Sequence, residues 1–133
     1  MEQNQIDIAQ ECLKAAENDT LIFPQIVGKL IEAGFESYNI DYRLSKAFYY
    51  LPNCEVVELE THKVPVEIGN DFDVDAIKAA IKEAQQQVDG YTYKGFCEKI
   101  MLAGCVGYIV SFVGRRAVYF GRTGETHVEE FPK

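Results

Sequence analysis

The chain has 133 residues, 47% of them apolar, and a formal net charge of −8. That length supports one hydrophobic core and is short for two, and the acidic balance excludes a phosphate-backbone partner, which requires clustered Lys and Arg. No run of about 18 apolar residues occurs, so no membrane partner or span is expected, and the polar start Met1-Glu2-Gln3-Asn4-Gln5 lacks the basic and apolar regions of a signal peptide, which makes a cytoplasmic location the expectation.

In chain order, Ile6, Ala9, Leu13 and Ala16 recur at helical spacing and predict a first amphipathic helix that frays near Asn18-Asp19. A second helix begins about Pro24, a favourable first-turn residue, and carries Ile26, Val27, Leu30 and Ile31 to a left-handed stop at Gly34. The period then changes. Tyr38, Ile40 and Tyr42 alternate with Asn39, Asp41 and Arg43, which predicts a strand with one wet face. Turns at Leu44-Ser45 and Pro52-Asn53 separate it from strands over Ala47–Leu51 and Glu55–Glu60. Residues 61–72 read as a connector broken by Pro65 and Gly69-Asn70. Helices follow near Asp73–Gln87 and Tyr93–Ala103, the latter stopped by Gly104, and then strands near Val106–Val113, Arg116–Gly121 and Glu125–Phe131.

The second half therefore repeats the first. With a step of 70, Lys29, Ala33, Gly34, Tyr38, Ala47, Tyr49 and Glu55 fall on Lys99, Ala103, Gly104, Tyr108, Ala117, Tyr119 and Glu125 without a gap. A two-residue slip extends the match to the first helices, laying Ile6-Asp7-Ile8-Ala9 over Val74-Asp75-Ala76-Ile77. The predicted fold class is α+β, an internally duplicated ααβββ unit with antiparallel meanders and helices on one face. Residues 1–133 are expected to form a single domain of two repeats, about 1–60 and 73–131, sharing one core about a pseudo-two-fold axis because either half alone buries too little surface. Whether the six strands make one sheet or two is not readable from the pattern.

The repeat gives each residue an internal control. Cys12, Cys97 and Cys105 align with Ala80, Val27 and Phe35, and no CxxC occurs, so the cysteines read as buried hydrophobes in a reducing compartment, with a reactive or bridging role for Cys97 and Cys105 as the alternative. Asp71-x-Asp73-x-Asp75 suggests a calcium loop at first, but the positions that should be Gly and Glu are Ala76 and Lys82. Helix capping explains the aspartates, and no metal and no cofactor are expected.

Glu125, His127 and Glu129 stand out. On a strand they share one face, and the first half has Val57 and Leu59 where the second has His127 and Glu129. These are the candidate catalytic residues, a His with carboxylates being able to act as a general base. Arg115, Arg116 and Arg122, on neighbouring turns, and Tyr119 are the candidate ligand-binding residues, an arginine being suited to fix an anionic substrate. A charged edge strand that blocks aggregation is the competing explanation, and His62 in the connector reaches the cluster only in a particular fold. The aromatics Tyr38, Tyr42, Tyr49, Tyr108, Phe112 and Tyr119 read as cross-strand core or as the wall of a cavity between helices and sheet.

The other face of the first strand is Asn39, Asp41 and Arg43 in one half but Ile109, Ser111 and Val113 in the other, which suggests a cover such as a helix, the C-terminal tail or a second subunit in a homodimer.

The stretch Tyr91–Phe131, with Gly95-Phe96, Ala103-Gly104, Gly107-Tyr108, Arg115-Arg116 and Tyr119-Phe120-Gly121-Arg122 running on through Glu125 to Pro132, resembles the bacterial domain-of-unknown-function family 1398. The first half, with Ser37-Tyr38, Asp41-Tyr42 and Tyr49-Tyr50-Leu51-Pro52, fits the same family. The resemblance implies a bacterial, prophage-associated setting in which members often carry the label "phage envelope protein"; it brings no catalytic or ligand-binding residue to transfer. The sequence thus points to a non-enzymatic module that binds a small molecule or a protein. The alternative is a small hydrolase or isomerase using His127 with Glu125 or Glu129 and an arginine.

Overall fold

The computed structural model describes residues 1–132. Its elements are α1 (Gln3–Glu17), α2 (Phe23–Glu32), β1 (Ser37–Asp41), β2 (Lys46–Tyr50), β3 (Val56–Glu60), α3 (Val74–Gln86), α4 (Tyr93–Leu102), β4 (Cys105–Ser111), β5 (Arg116–Gly121) and β6 (Thr126–Glu130). The fold is α+β, and the order ααβββ occurs twice. The strands form one antiparallel sheet in the order β3-β2-β1-β4-β5-β6, so β1 and β4 join the two meanders at the centre.

Local chemistry sets the boundaries. Asp73 caps α3 by accepting the Ala76 N–H at 3.1 Å, and Thr92 caps α4 by accepting the Gly95 N–H at 3.0 Å. Both α2 and α4 end on a glycine with positive φ, Gly34 at 100° and Gly104 at 91°, whose N–H closes on Ile31 O and Met101 O. At Gly104 a side chain is also barred by space, since a Cβ would lie 2.2 Å from Asp71 O in the connector. The left-handed turn residues recur between halves as well: Asp19 with Gln87, Ser45 with Arg115, and Cys54 with Gly124.

The strand registers repeat in the same way. Tyr38 pairs with Tyr49 as Tyr108 pairs with Tyr119, and Tyr49 pairs with Val57 as Tyr119 pairs with His127. At the centre Tyr38 lies opposite Val110 and Ile40 opposite Tyr108, while Asn39 faces its own counterpart Ile109. That reciprocity is what a two-fold axis between β1 and β4 requires.

One face of the sheet carries Tyr38, Ile40, Ala47, Tyr49, Tyr108, Val110, Ala117 and Tyr119, all buried together with Ala9, Cys12, Leu30, Ile77, Ala80 and Ile100 of the helices. Cys12, Cys97 and Cys105 belong to this core, Cys54 is exposed in the β2–β3 turn, and all four are free thiols. The opposite face alternates outward, with Ile109, Val118 and Val128 side by side across β4, β5 and β6. The last strands are shorter than their pattern predicts: Val113 lies in the β4–β5 turn, 85% exposed, and Glu125 lies in the turn before β6. No helix is long and apolar enough to cross a membrane among the described residues.

Candidate functional site

The helices do not fill all the space above the sheet. A cavity of about 350 Å³ lies between them, walled by Cys12, Leu13 and Ala16 of α1, Ile26 of α2, Ile81 and Ala84 of α3, and the inward residues of β1, β2, β4, β5 and β6. Interiors normally pack with few voids larger than a water molecule, so a space of this size is a structural feature rather than a packing defect. Six tyrosines line it: Tyr38, Tyr49, Tyr91, Tyr93, Tyr108 and Tyr119.

The rings are held by one another. Tyr38 stacks on Tyr49 with centroids 5.5 Å apart, Tyr108 and Tyr119 are 5.2 Å apart, and Tyr93 Oη and Tyr108 Oη share a hydrogen bond of 2.7 Å. Burial pushes the hydroxyls of Tyr38, Tyr49, Tyr91, Tyr93, Tyr108 and Tyr119 above the ordinary phenol range. They are therefore neutral phenols at physiological pH, able both to donate and to accept. Cys12, also on the wall, is raised by burial, with Lys29 opposing.

At the β6 end the wall turns polar. His127 Nε2 and Glu129 Oε2 are 3.0 Å apart, with side-chain exposures of 12% and 32%. A carboxylate can only accept, so the imidazole N–H donates. The His127 ring stacks on Tyr119 at 6.3 Å, whereas Glu129 itself lines the cavity with Glu130 beside it. The rim is made by the α1–α2 turn, by Gln85 and Gln87 at the end of α3, and by Phe131-Pro132. Phe23 meets Phe131 edge-on at 5.6 Å and 83°, and the Arg115 guanidinium lies over the Phe131 ring, 5.7 Å from its centroid.

The sequence candidates thus separate. His127, Glu129 and Tyr119 come together. Glu125 does not join them: its carboxylate accepts the Thr123 N–H at 3.0 Å, which holds it below the usual carboxylate range and commits it to the turn. No arginine reaches the His127–Glu129 pair. Arg115 supports the rim through Phe131, Arg116 lies 3.9 Å from Glu130, and Arg122 donates to the Ile68 and Gly69 carbonyls at 2.8 and 3.2 Å, pinning the connector. The arginines offered for an anionic substrate beside this pair thus engage other groups. His62 sits elsewhere, its N–H donating to Glu17 at 2.7 Å.

Asp19, Tyr91, Gln85 and Gln87 were not legible as site residues. The one signal available was Leu21-Ile22-Phe23, an apolar run in a helix–helix connection where solvated loops are polar. Ile22 and Phe23 stand 43% and 41% exposed at the rim.

A second cavity, of about 330 Å³, lies on the other side of Tyr93 and Ile40, which line both spaces. Its wall includes Tyr42, Cys97, Glu17, His62, Lys63 and Lys94. Tyr42 Oη is the one fully enclosed side-chain polar atom without a hydrogen-bond partner among the described residues. Beside it, burial pushes the Cys97 thiol up to about 11. No cluster of three or more metal-ligating side chains occurs among the described residues, and Asp73 is spent on the α3 cap.

The family model for a protein of unknown function, DUF1398, matches residues 10–130, and the chain belongs to that family. No curated protein matches the chain.

Proposed function

We propose that this protein is a non-enzymatic binding module whose ligand is a small, largely apolar molecule held between the helices and the sheet. The observation that carries the reading is the tyrosine-lined cavity of about 350 Å³, at the small end of the range of about 300–1,000 Å³ typical of ligand sites. Its wall is apolar apart from the phenol groups and Asp19, Gln85, Gln87, Glu129 and Glu130, the pattern of a site in which burial supplies affinity and a few polar groups fix orientation. Exposed Ile22 and Phe23 at the rim add apolar surface where a ligand enters.

The catalytic alternative has one observation in its favour, the 3.0 Å His127–Glu129 pair beside a cavity. Against it, the imidazole lies behind Glu129 rather than on the wall, Glu125 is committed to a turn, and all three arginines are engaged elsewhere. In the binding reading His127 orients the Glu129 carboxylate.

The test is a two-dimensional amide NMR titration with 2-phenylethanol, compared between the wild type and Ala84→Leu. The expected result is saturable shifts centred on Tyr38, Tyr108, Tyr119 and Glu129. Leucine at position 84 should fill the space, weaken binding at least tenfold and add about 0.5–2 kcal/mol of stability. Absence of saturable shifts at these positions, or binding that survives the filled cavity, overturns the reading.

A further inference from the structure

The ligand's charge is written on the cavity wall. Among the described residues those lining it include Asp19, Glu129 and Glu130 and no Lys, Arg or His. Asp19 accepts the Tyr93 N–H at 2.8 Å and Glu130 lies 3.9 Å from Arg116, which leaves Glu129 as the carboxylate without a cationic or backbone partner. Uniform acidity of the protein does not explain this, because the second cavity, of similar size, is lined by Lys63, Lys94 and His62 against Glu17 alone. The two spaces share Tyr93 and Ile40 as a partition and differ in sign.

The apolar part of the wall has a matching preference. The face of a tyrosine ring carries the negative end of its quadrupole and attracts ammonium groups. Six such rings surround the space, with Phe23, Phe96 and Phe131 completing the aromatic wall. Tyr49 and Tyr119, residues 3% and 6% exposed that line the cavity, form no hydrogen bond through their hydroxyls among the described residues. As neutral phenols they can accept N–H donors from a ligand. Glu129 lines the space and shares one hydrogen bond, with His127. A carboxylate at one end of a partly dehydrated aromatic cavity favours a cation there and disfavours an anion strongly. The net charge of −8 draws cations to the surface before they dock.

We propose that the cavity is specific for an organic ammonium, a primary amine on an aromatic or aliphatic body, with the nitrogen at Glu129 and the body among the tyrosines. This inference rests on the binding reading above and adds the ligand's chemical class to it. Glu129 supplies the counter-charge and His127 is a positioning residue for it.

The test compares three probes of one size, 2-phenylethylamine, 2-phenylethanol and 3-phenylpropanoate, by amide NMR titration of the full chain at pH 7. The amine should bind at least tenfold more tightly than the alcohol, and the carboxylate should bind more weakly than the alcohol. Glu129→Gln should bring the amine down to the level of the alcohol while leaving the alcohol's affinity within about twofold, with wild-type circular dichroism as the check on folding. His127→Gln, which retains a side-chain N–H donor, should lower the amine's affinity less than Glu129→Gln does. If the alcohol binds as tightly as the amine, or the carboxylate binds best, the cation is overturned and the cavity reading stands. If Glu129→Gln leaves the amine's affinity unchanged, the placement of the nitrogen is overturned. If no probe saturates, the cavity reading fails, and the ligand class fails with it.

Discussion

The β3 and β6 ends of the sheet occupy equivalent places and have opposite fates. β3 pairs with β2 as β6 pairs with β5, so Val57 and Leu59 stand where His127 and Glu129 stand. In the first half α1 packs against β3, and both apolar side chains join the core. In the second half α3 packs less against β6, and a space there is bordered by Ile81, Ala84 and Glu129. One backbone plan therefore sends the β3 residues Val57 and Leu59 into the core and leaves the β6 residue Glu129 on a cavity wall. The difference lies in which side chains meet across the layers. Apolar pairs draw helix and strand together, whereas a half-buried His–Glu pair satisfies itself along the strand and leaves the helix with nothing apolar to close upon.

The largest expected effect tests whether the halves share one core. Leu30 and Ile100 are equivalent and fully buried. Leu30→Ala and Ile100→Ala should each cost about 2–5 kcal/mol in urea unfolding, with a single transition. Two transitions in either variant would break the equivalence and leave the halves folding separately.

Alkali should act on both halves together. Burial raises Tyr38 and Tyr49 in the first half and Tyr108 and Tyr119 in the second. Between the unfolded phenol value, about 10, and these higher folded values the unfolded chain has lost protons that the folded chain keeps. Stability is therefore constant with respect to these groups below pH 10 and falls above it, by about 1.4 kcal/mol per pH unit for each. Urea midpoints and 295 nm absorbance followed from pH 9 upward should fall and rise in one step; stability that is flat to pH 12 would contradict the burial.

His127→Val/Glu129→Leu writes the first half's residues into the second and addresses the comparison directly. The double variant should gain about 1 kcal/mol in urea and lose amine binding, since polar groups kept at a functional site are held at the expense of stability. A loss of similar size would mark the pair as a satisfied structural network.

The smallest effect runs the other way along the repeat. Tyr42 aligns with Phe112, and its hydroxyl is enclosed without a partner. Tyr42→Phe should gain about 0.5–1 kcal/mol, read from the urea midpoint; a loss would show that a molecule in the second cavity satisfies that hydroxyl.

Much of this architecture was legible. Helix and strand order, the glycine stops at 34 and 104, the burial of Cys12, Cys97 and Cys105, and the placement of His127 and Glu129 on one strand face all follow from patterns a few residues long. The candidate site was legible only where a side chain's partners lie on its own strand. The arginines show the limit: Arg115, Arg116 and Arg122 are near His127 in sequence, yet they engage Phe131, Glu130 and the connector carbonyls.

By itself the sequence determined the local order and its repetition, because hydrophobic period, capping side chains and left-handed glycines act within a turn or a strand. Only the tertiary structure decided that β1 and β4 join six strands into one sheet, that α1 packs on β3, and that the tyrosines enclose a space instead of filling it. Those outcomes depend on how far apart distant segments settle, which is fixed by the volumes and partners of side chains that no short stretch of sequence brings together.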